Sequence, residues 1–328
     1  MRILGLETSC DETAVAIVRD GNKIISSVVS SSLPLHAKTG GVIPETAARE
    51  QVKALAPVLG KVISLDELRS IDAFGVTYGP GLIGSLLVGV EAAKTLSFTL
   101  QKPLVPVNHL IGHLYSAWLE NPQPPDFPLI ALIVSGGHTE LLFVSGHGNW
   151  RYIGGTRDDA AGEAFDKIAR LLGLGFPGGP EIETRAHLGK SEFQLPRPMI
   201  GDNTYDFSFS GLKTAFVNLV DRLKKGGSLD QIQVNNLAAS CQEAIVDVLV
   251  SKSIRAAKEF GANNIVLGGG VAANAYLRKT LLGNFTGNVY FPDPKYSVDN
   301  GAMIAAAAYF NYKPMPWNEV RADASILF

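Results

Sequence analysis

The sequence predicts an α/β chain in which one domain pattern occurs twice, giving two domains around a nucleotide cleft, and three observations carry that prediction. The first is an internal repeat. Residues 3–18 and 129–144 align without a gap, each as an apolar strand, a tight polar turn and a second apolar strand. Leu6 falls on Leu132, Ser9 on Ser135, Thr13 on Thr139 and Val18 on Val144. The second is a set of four glycine turns, around Gly79, Gly136, Gly178 and Gly268, where a backbone without Cβ atoms can bring N–H groups against a ligand oxygen. The third is size: 328 residues with 46% hydrophobic content suffice for two packed cores.

In chain order, the apolar run from Ile3 to Leu6 begins almost at the first residue and leads into the polar turn Glu7-Thr-Ser-Cys-Asp-Glu-Thr. No basic leader, long apolar stretch or cleavage site precedes it, so no targeting segment is expected. The most apolar later stretch, residues 82–99, is interrupted by Glu91 and Lys94 and is rich in Gly and Ala, which predicts a packed helix in place of a membrane span. The second hairpin turn, Ser135-Gly-Gly-His-Thr, can aim successive N–H groups at a phosphate or carbonyl oxygen. Further on, the strand at Asn264-Ile-Val-Leu ends in Gly268-Gly-Gly and opens a helix whose N-terminus can face a nucleotide. None of these turns is a Walker A loop or a GxGxxG element.

Between the hairpins lie His109 and His113, four residues apart in Asn108-His-Leu-Ile-Gly-His. Side chains at i and i+4 share a helix face, so two imidazoles there can hold one metal ion and leave coordination positions open. The spacing alone leaves two readings, a metal site or two histidines on an ordinary helix. Leu110 follows His109 where a zinc peptidase has the glutamate that activates its water, so peptidase chemistry is disfavoured.

Charge narrows the partners. The chain has 29 Lys and Arg against 31 Asp and Glu, a net charge of -2, and so no global attraction to nucleic acid or anionic membrane. RNA would be met through a local patch or a partner; Lys213, Arg222, Lys224 and Lys225 form only a modest basic segment. Cys10 and Cys241 are too few for a disulfide framework, which fits a reducing compartment and a cytoplasmic address.

Together these residues resemble a known family, the universal tRNA threonylcarbamoyladenosine transferases. The resemblance runs through ten ordered motifs, among them Glu7-Thr-Ser-Cys-Asp-Glu-Thr, Asn108-His-Leu-Ile-Gly-His, Val134-Ser-Gly-Gly-His-Thr, Gly162-Glu-Ala-Phe-Asp-Lys, Phe207-Ser-Phe-Ser-Gly-Leu-Lys-Thr and Asp299-Asn-Gly-Ala-Met-Ile-Ala. It implies the actin, sugar kinase and Hsp70 type of fold, with a first domain at 1–108 completed by a C-terminal helix at 303–328, and a second domain at 109–302. It also implies that Asp299 joins His109 and His113 around one divalent metal ion, Fe(II) favoured over Zn(II). Substrate-binding positions carry over as Ile133, Val134, Ser135, Gly136 and Gly137, then Asp166, Gly179, Glu183 and Asn274.

The implied reaction moves the threonylcarbamoyl group from threonylcarbamoyl-AMP to N6 of the adenosine beside the tRNA anticodon. Asp11 and then Glu12, in the first hairpin turn, are the candidates for the base that takes the amine proton. Two positions depart from the family pattern: Glu183 stands where Asp is common, and Ala48-Arg49-Glu50-Gln51 stands where Ser-Arg-x-His is frequent. His36 matches a family motif but also suits a capping role, His138 is expected to order its turn, and His147 and His187 to be structural. By the same resemblance, an inactive paralogue subunit and a small ATPase are expected partners beside tRNA, with no membrane. The rival reading is a small-molecule kinase or acyl-phosphate enzyme of the same fold, which has no use for the two histidines and Asp299.

Overall fold

The computed structural model describes residues 1–37 and 40–328. Contacts divide the chain into two units, Met1–Pro125 with Phe291–Phe328, and Asp126–Tyr290. The first holds strands β1 (Arg2–Glu7), β2 (Glu12–Arg19), β3 (Lys23–Ser31), β4 (Ala73–Gly79) and β5 (Leu104–Asn108). Its helices are α1 (Leu33–Ala37), α2 (Pro44–Val62), α3 (Ile83–Leu100), α4 (His109–Tyr115), and, from the end of the chain, α10 (Pro294–Ser297) and α11 (Gly301–Phe310). The second unit holds β6 (Leu129–Val134), β7 (Thr139–Gly146), β8 (Asn149–Gly155), β9 (Asn264–Gly268) and β10 (Asn288–Tyr290). Its helices are α5 (Ala161–Leu171), α6 (Gly178–His187), α7 (Ser210–Lys224), α8 (Gln231–Glu259) and α9 (Ala275–Asn284).

The duplication is real down to the register. The sheets run β3-β2-β1-β4-β5 and, read from the equivalent edge, β8-β7-β6-β9-β10. In the first hairpin Ile3 stands opposite Val18 and Leu6 opposite Val15; in the second, Leu129 opposite Val144 and Leu132 opposite Leu141. The fourth strands also match, with Ala73 beside Ile3 and Asn264 beside Leu129, both parallel. β1 and β6 are central strands, so their side chains are buried on both faces and the sequence is apolar at almost every position. β3, at an edge, instead alternates exposed and half-buried residues.

Glycine and alanine set the closest approach in the first unit. A Cβ on Gly5 would lie 2.6 Å from the Ala305 nitrogen, and one on Gly75 would lie 2.9 Å from the Ala308 Cβ, so α11 can rest directly on β1 and β4 only because these residues are small. Gly112 does the same for α4, since a Cβ there would come within 2.7 Å of Ile304 Cδ1. α3 is long and apolar enough, by length and composition, to cross a membrane. Here it buries Ser85, Leu86, Gly89, Val90, Ala93 and Ser97 and packs against β4 and α2, as a core helix does.

Two boundaries differ from expectation. The division falls at 125 and 290 in place of 108 and 302, because α4 packs on α11 and β5 of the first sheet and carries its histidines with it. The terminal helix stops at Phe310. Pro314 and Pro316 cannot continue a helical hydrogen-bond ladder, and the chain instead returns along the first sheet, Met315 N–H donating to Leu104 O and Asp323 N–H to Tyr78 O, each at 2.8 Å.

Candidate functional site

The first unit assembles a compact group of metal-ligating side chains. β5 ends at Asn108, whose side-chain oxygen caps α4 by accepting from the N–H groups of Leu110 and Ile111, so His109 opens the helix and His113 follows one turn later on the same face. Asp299 lies between α10 and α11, one residue before Asn300, which caps α11 through Met303 N–H. The close packing of α11 on β1 and of α4 on α11 brings the three together. His113 Nε2 is 3.1 Å and His109 Nε2 3.7 Å from Asp299 Oδ1, and all three ligand atoms lie within 4.8 Å of one another.

The donor set fits a divalent cation on a direct observation. His113 is 1% exposed, yet neither of its ring nitrogens has a hydrogen-bond partner among the described residues, despite the nearby carboxylate. A buried imidazole left so is costly unless something else takes its lone pair. Negative charge gathers around it: burial and the carboxylates of Asp299 and Asp11 push the Glu12 carboxyl up to about 10. Burial by itself would drive His109 toward neutrality, but the Glu7 and Asp299 carboxylates outweigh it and raise His109 to about 9. The positive charge these acids draw onto an imidazole is charge a bound cation would carry instead.

Glu7 was not singled out from the sequence. It is wholly buried, accepting from Ser9 N–H at 2.5 Å and Thr77 Oγ at 2.6 Å and lying 3.0 Å from His109 Nδ1. A charged residue closing the apolar run Ile3–Leu6 was the available signal. Gln51, on α2, is 1% exposed and donates through Nε2 to the carbonyls of Thr8, Cys10 and Glu12, the turn that carries Asp11 and Glu12. It stands at the position where the family pattern frequently has histidine. Asp11 and Glu12 are half-buried, and Glu12 Oε1 accepts from Ser31 Oγ at 3.0 Å. His36 is buried, 3.1 Å from Ser32 Oγ, and accepts from Ile43 N–H at 3.2 Å, a structural role outside the metal group.

In the second unit residues 133–137 and Asn274 lie at or follow the carboxyl ends of β6 and β9, where open α/β sheets bind ligands, while Asp166 lies on α5 and Gly179 and Glu183 on α6. Ile133 and Val134 are fully buried in β6, so this turn presents itself to a ligand at Ser135, Gly136 and Gly137. Ser135 N–H donates to His138 O and Gly162 N–H to Ser135 O, which seats the turn on the start of α5. Nothing stands within 4 Å of where a Cβ on Gly136, Gly137 or Gly179 would be, so their backbones face open space.

Asp166 Oδ1 accepts from Gly178 N–H at 2.6 Å and so holds the start of α6 beside Gly179. Burial raises its carboxyl above the ordinary value, opposed by that hydrogen bond. Glu183, on α6, accepts from Ala275 N–H at 2.6 Å, next to Asn274. Asn274 is itself a helix cap: its Oδ1 accepts from Leu277 N–H and its Nδ2 donates to Gln242. Asp166 with Gly179, and Glu183 with Asn274, thus form two neighbouring pairs bridged by α6.

The other candidates are accounted for. Lys213 is 3.3 Å from Asp159, while Arg222, Lys224 and Lys225 are exposed at the end of α7. His138 orders its turn through the backbone, His147 stacks edgewise on Phe127, and His187 is exposed at the end of α6.

The chain resembles known proteins along most of its length. A family model described as tRNA N6-adenosine threonylcarbamoyltransferase matches residues 23–306. The chain is 49% identical to the tRNA N6-adenosine threonylcarbamoyltransferase of Thermomicrobium roseum, over 99% of this chain and 95% of that one. It is 46% identical to the protein of the same name from Lactiplantibacillus plantarum, again over 99% and 95%. Among solved structures, the activator of the 2-hydroxyisocaproyl-CoA dehydratase from Clostridium difficile superposes with a TM-score of 0.55 at 16% identity over 95% of each chain. T. kodakarensis HypF gives 0.63 at 15% identity over 95% of this chain and 47% of that one. At such identities those two share the fold alone, the duplicated α/β fold of actin, sugar kinases and Hsp70. The family match and the full-length relatives decide more: this chain belongs to the tRNA N6-adenosine threonylcarbamoyltransferase family.

Proposed function

We propose that the protein transfers the threonylcarbamoyl group of threonylcarbamoyl-AMP to N6 of the adenosine beside the anticodon, in tRNAs reading codons that begin with A, and releases AMP. The observation that carries this reading is the His109, His113 and Asp299 group in a chain of this family, a group that a phosphotransferase of the same fold has no need of. We assign Fe(II) as the cation these residues hold, with Zn(II) as the alternative, since two imidazoles and one carboxylate suit both. When bound, such an ion supplies Lewis acidity toward the threonylcarbamoyl oxygens.

The chain's own residues do the rest. The AMP half of the donor is the ligand of the strand-end residues of the second unit. The N–H groups of residues 135–137, backed by Ile133 and Val134, meet the phosphate, and the departing AMP keeps the electron pair of the broken carbonyl–oxygen bond. Asp166 and Glu183 take ribose hydroxyls, Gly179 lets the sugar approach the backbone, and Asn274 meets the nucleotide with the Nδ2 hydrogen it has to spare. As the N6–carbonyl bond forms, N6 loses a proton. Asp11 is the base in preference to Glu12, whose carboxyl is pushed up to about 10 by burial and by the Asp299 and Asp11 carboxylates and so holds its proton. The partners are tRNA and, on the family resemblance, an inactive paralogue subunit and a small ATPase, with the cytoplasm as the place of work. A net charge of -2 makes a partner's help with tRNA reasonable.

The experiment is transfer of labelled threonine to unmodified tRNA in the presence of threonylcarbamoyl-AMP and the partner proteins. Label on the adenine beside the anticodon, lost in His109→Ala and Asp299→Ala, supports the reading. Absence of label with active partners, together with ATP-dependent phosphorylation of a small acid or alcohol, overturns it.

A further inference from the structure

We infer that Glu7 is a positioning residue of the metal group: its carboxylate keeps a proton on His109 Nδ1 and so leaves His109 Nε2 as the lone pair that faces Asp299. The inference rests on the metal reading above. Glu7 is 0% exposed and ends β1, the strand on which α11 rests. Both its oxygens are acceptors. Oε1 takes Ser9 N–H at 2.5 Å, and Oε2 takes Thr77 Oγ–H at 2.6 Å and lies 3.0 Å from His109 Nδ1. Ser9 Oγ is 3.1 Å from the same ring nitrogen. A carboxylate can only accept, so the imidazole nitrogen against it carries the proton and the opposite nitrogen is left to coordinate. His113 has no such partner among the described residues, so of the two imidazoles only His109 has its ring and tautomer set in advance.

Glutamine of nearly the same shape cannot do this. If its amide nitrogen took the place of Oε1, two donors would meet at Ser9 N–H. If it took the place of Oε2, it would donate to His109 Nδ1 and drive the ring proton to Nε2, where it blocks coordination. Glu7→Gln therefore harms the site in either orientation while preserving volume.

The test is competitive Zn(II) and Co(II) titration of the intact wild-type chain, Glu7→Gln, Thr77→Val and His113→Ala, with folding checked by circular dichroism. Glu7→Gln should bind about 10- to 100-fold more weakly than wild type. Thr77→Val, which keeps the carboxylate, should lose less, and His113→Ala most. Nitrogen-15 NMR of the Zn(II)-loaded wild type should show His109 protonated at Nδ1 and coordinating through Nε2; this reading stands even if Glu7→Gln does not fold. Wild-type-like affinity in folded Glu7→Gln, with His113→Ala defective, or coordination of His109 through Nδ1, overturns the role of Glu7 and leaves the metal reading in place. A folded wild type that binds neither ion overturns the metal reading and this inference with it.

Discussion

Removing the donor of Gln51 should loosen the turn that presents Asp11 and Glu12, and the structure sets the size of the effect. Gln51 Nε2 lies 2.9 Å from Cys10 O, 3.1 Å from Glu12 O and 3.3 Å from Thr8 O, so two N–H bonds serve three carbonyls. Other groups hold the remainder of the turn: Leu82 N–H donates to Ser9 O at 2.8 Å, Ser32 N–H to Asp11 O at 3.0 Å and Ser85 Oγ to Cys10 O at 3.2 Å. In Gln51→Leu the side chain stays buried and apolar contact is kept, but two hydrogen bonds go and carbonyls are left without them. At about 1 kcal/mol for the bond to Cys10 O, which keeps the Ser85 hydroxyl, and about 1–3 kcal/mol for a buried carbonyl left without a donor, the loss should be about 2–4 kcal/mol.

Gln51→Glu should be worse, because an acceptor then faces three acceptors beside two acidic side chains; a buried charge without a partner costs about 3–5 kcal/mol. Gln51→His keeps one N–H donor and should fall between wild type and Gln51→Leu. Urea unfolding gives the stability and labelled-threonine transfer the turnover, which should fall with kcat more than with KM because the donor sites of the second unit are untouched. A Gln51→Leu protein within about 0.5 kcal/mol of wild type, with unchanged kcat, would refute the argument that this amide holds the turn.

Four further outcomes are expected. Fe(II) or Zn(II) at a hundredfold excess over Kd should stabilise the wild type by about 2.7 kcal/mol in thermal unfolding; no such gain should appear in His113→Ala or Asp299→Ala. Burial pushes the Glu140 carboxyl up to about 7 from an ordinary 4.5, aided by Asp206 and opposed by a hydrogen bond from Tyr152. Its raised value means the folded chain holds that proton more firmly than the unfolded one, so the contribution is full below about 4.5 and is lost as pH rises through about 7. Glu140→Gln should flatten that slope and be the more stable protein at pH 8, by up to about 3 kcal/mol, in urea titrations run at several pH values. Asp158 accepts from the N–H groups of Phe209 and Ser210 and both flanking serine hydroxyls, capping α7, so Asp158→Ala should cost about 0.5–2 kcal/mol in chemical denaturation. Gly162→Ala would put a Cβ 2.5 Å from Ser135 O; it should displace the 135–137 turn and weaken AMP binding by calorimetry, whereas Gly136→Ala has room and should disturb the fold far less.

Much of this was legible in the chain because it is local. Strand, turn and strand recur in two windows with apolar residues on both faces, and a strand that alternates or saturates in apolar residues announces itself over six or eight positions. The histidine pair is legible for the same reason, since i and i+4 share a helix face whatever surrounds them. Asp299 came only through resemblance; no spacing rule links it to His113. The candidate bases could be placed on a turn, but the sequence carried no sign that burial and Asp299 push the Glu12 carboxyl up.

The sequence by itself determined the repeat, the glycine turns and the two-histidine helix face, all set by backbone periodicity and by residues that only certain backbones tolerate. Tertiary structure alone decided the company those residues keep. Gly5 and Gly301 let α11 lie on β1 and so bring Asp299 to the histidines; Glu7 meets His109 across 102 positions; Gln51 reaches a turn about forty residues away; and the proline-broken tail returns to β4 and β5 as irregular chain. These contacts depend on close packing between elements remote in sequence, where a single methyl group decides whether two backbones can meet.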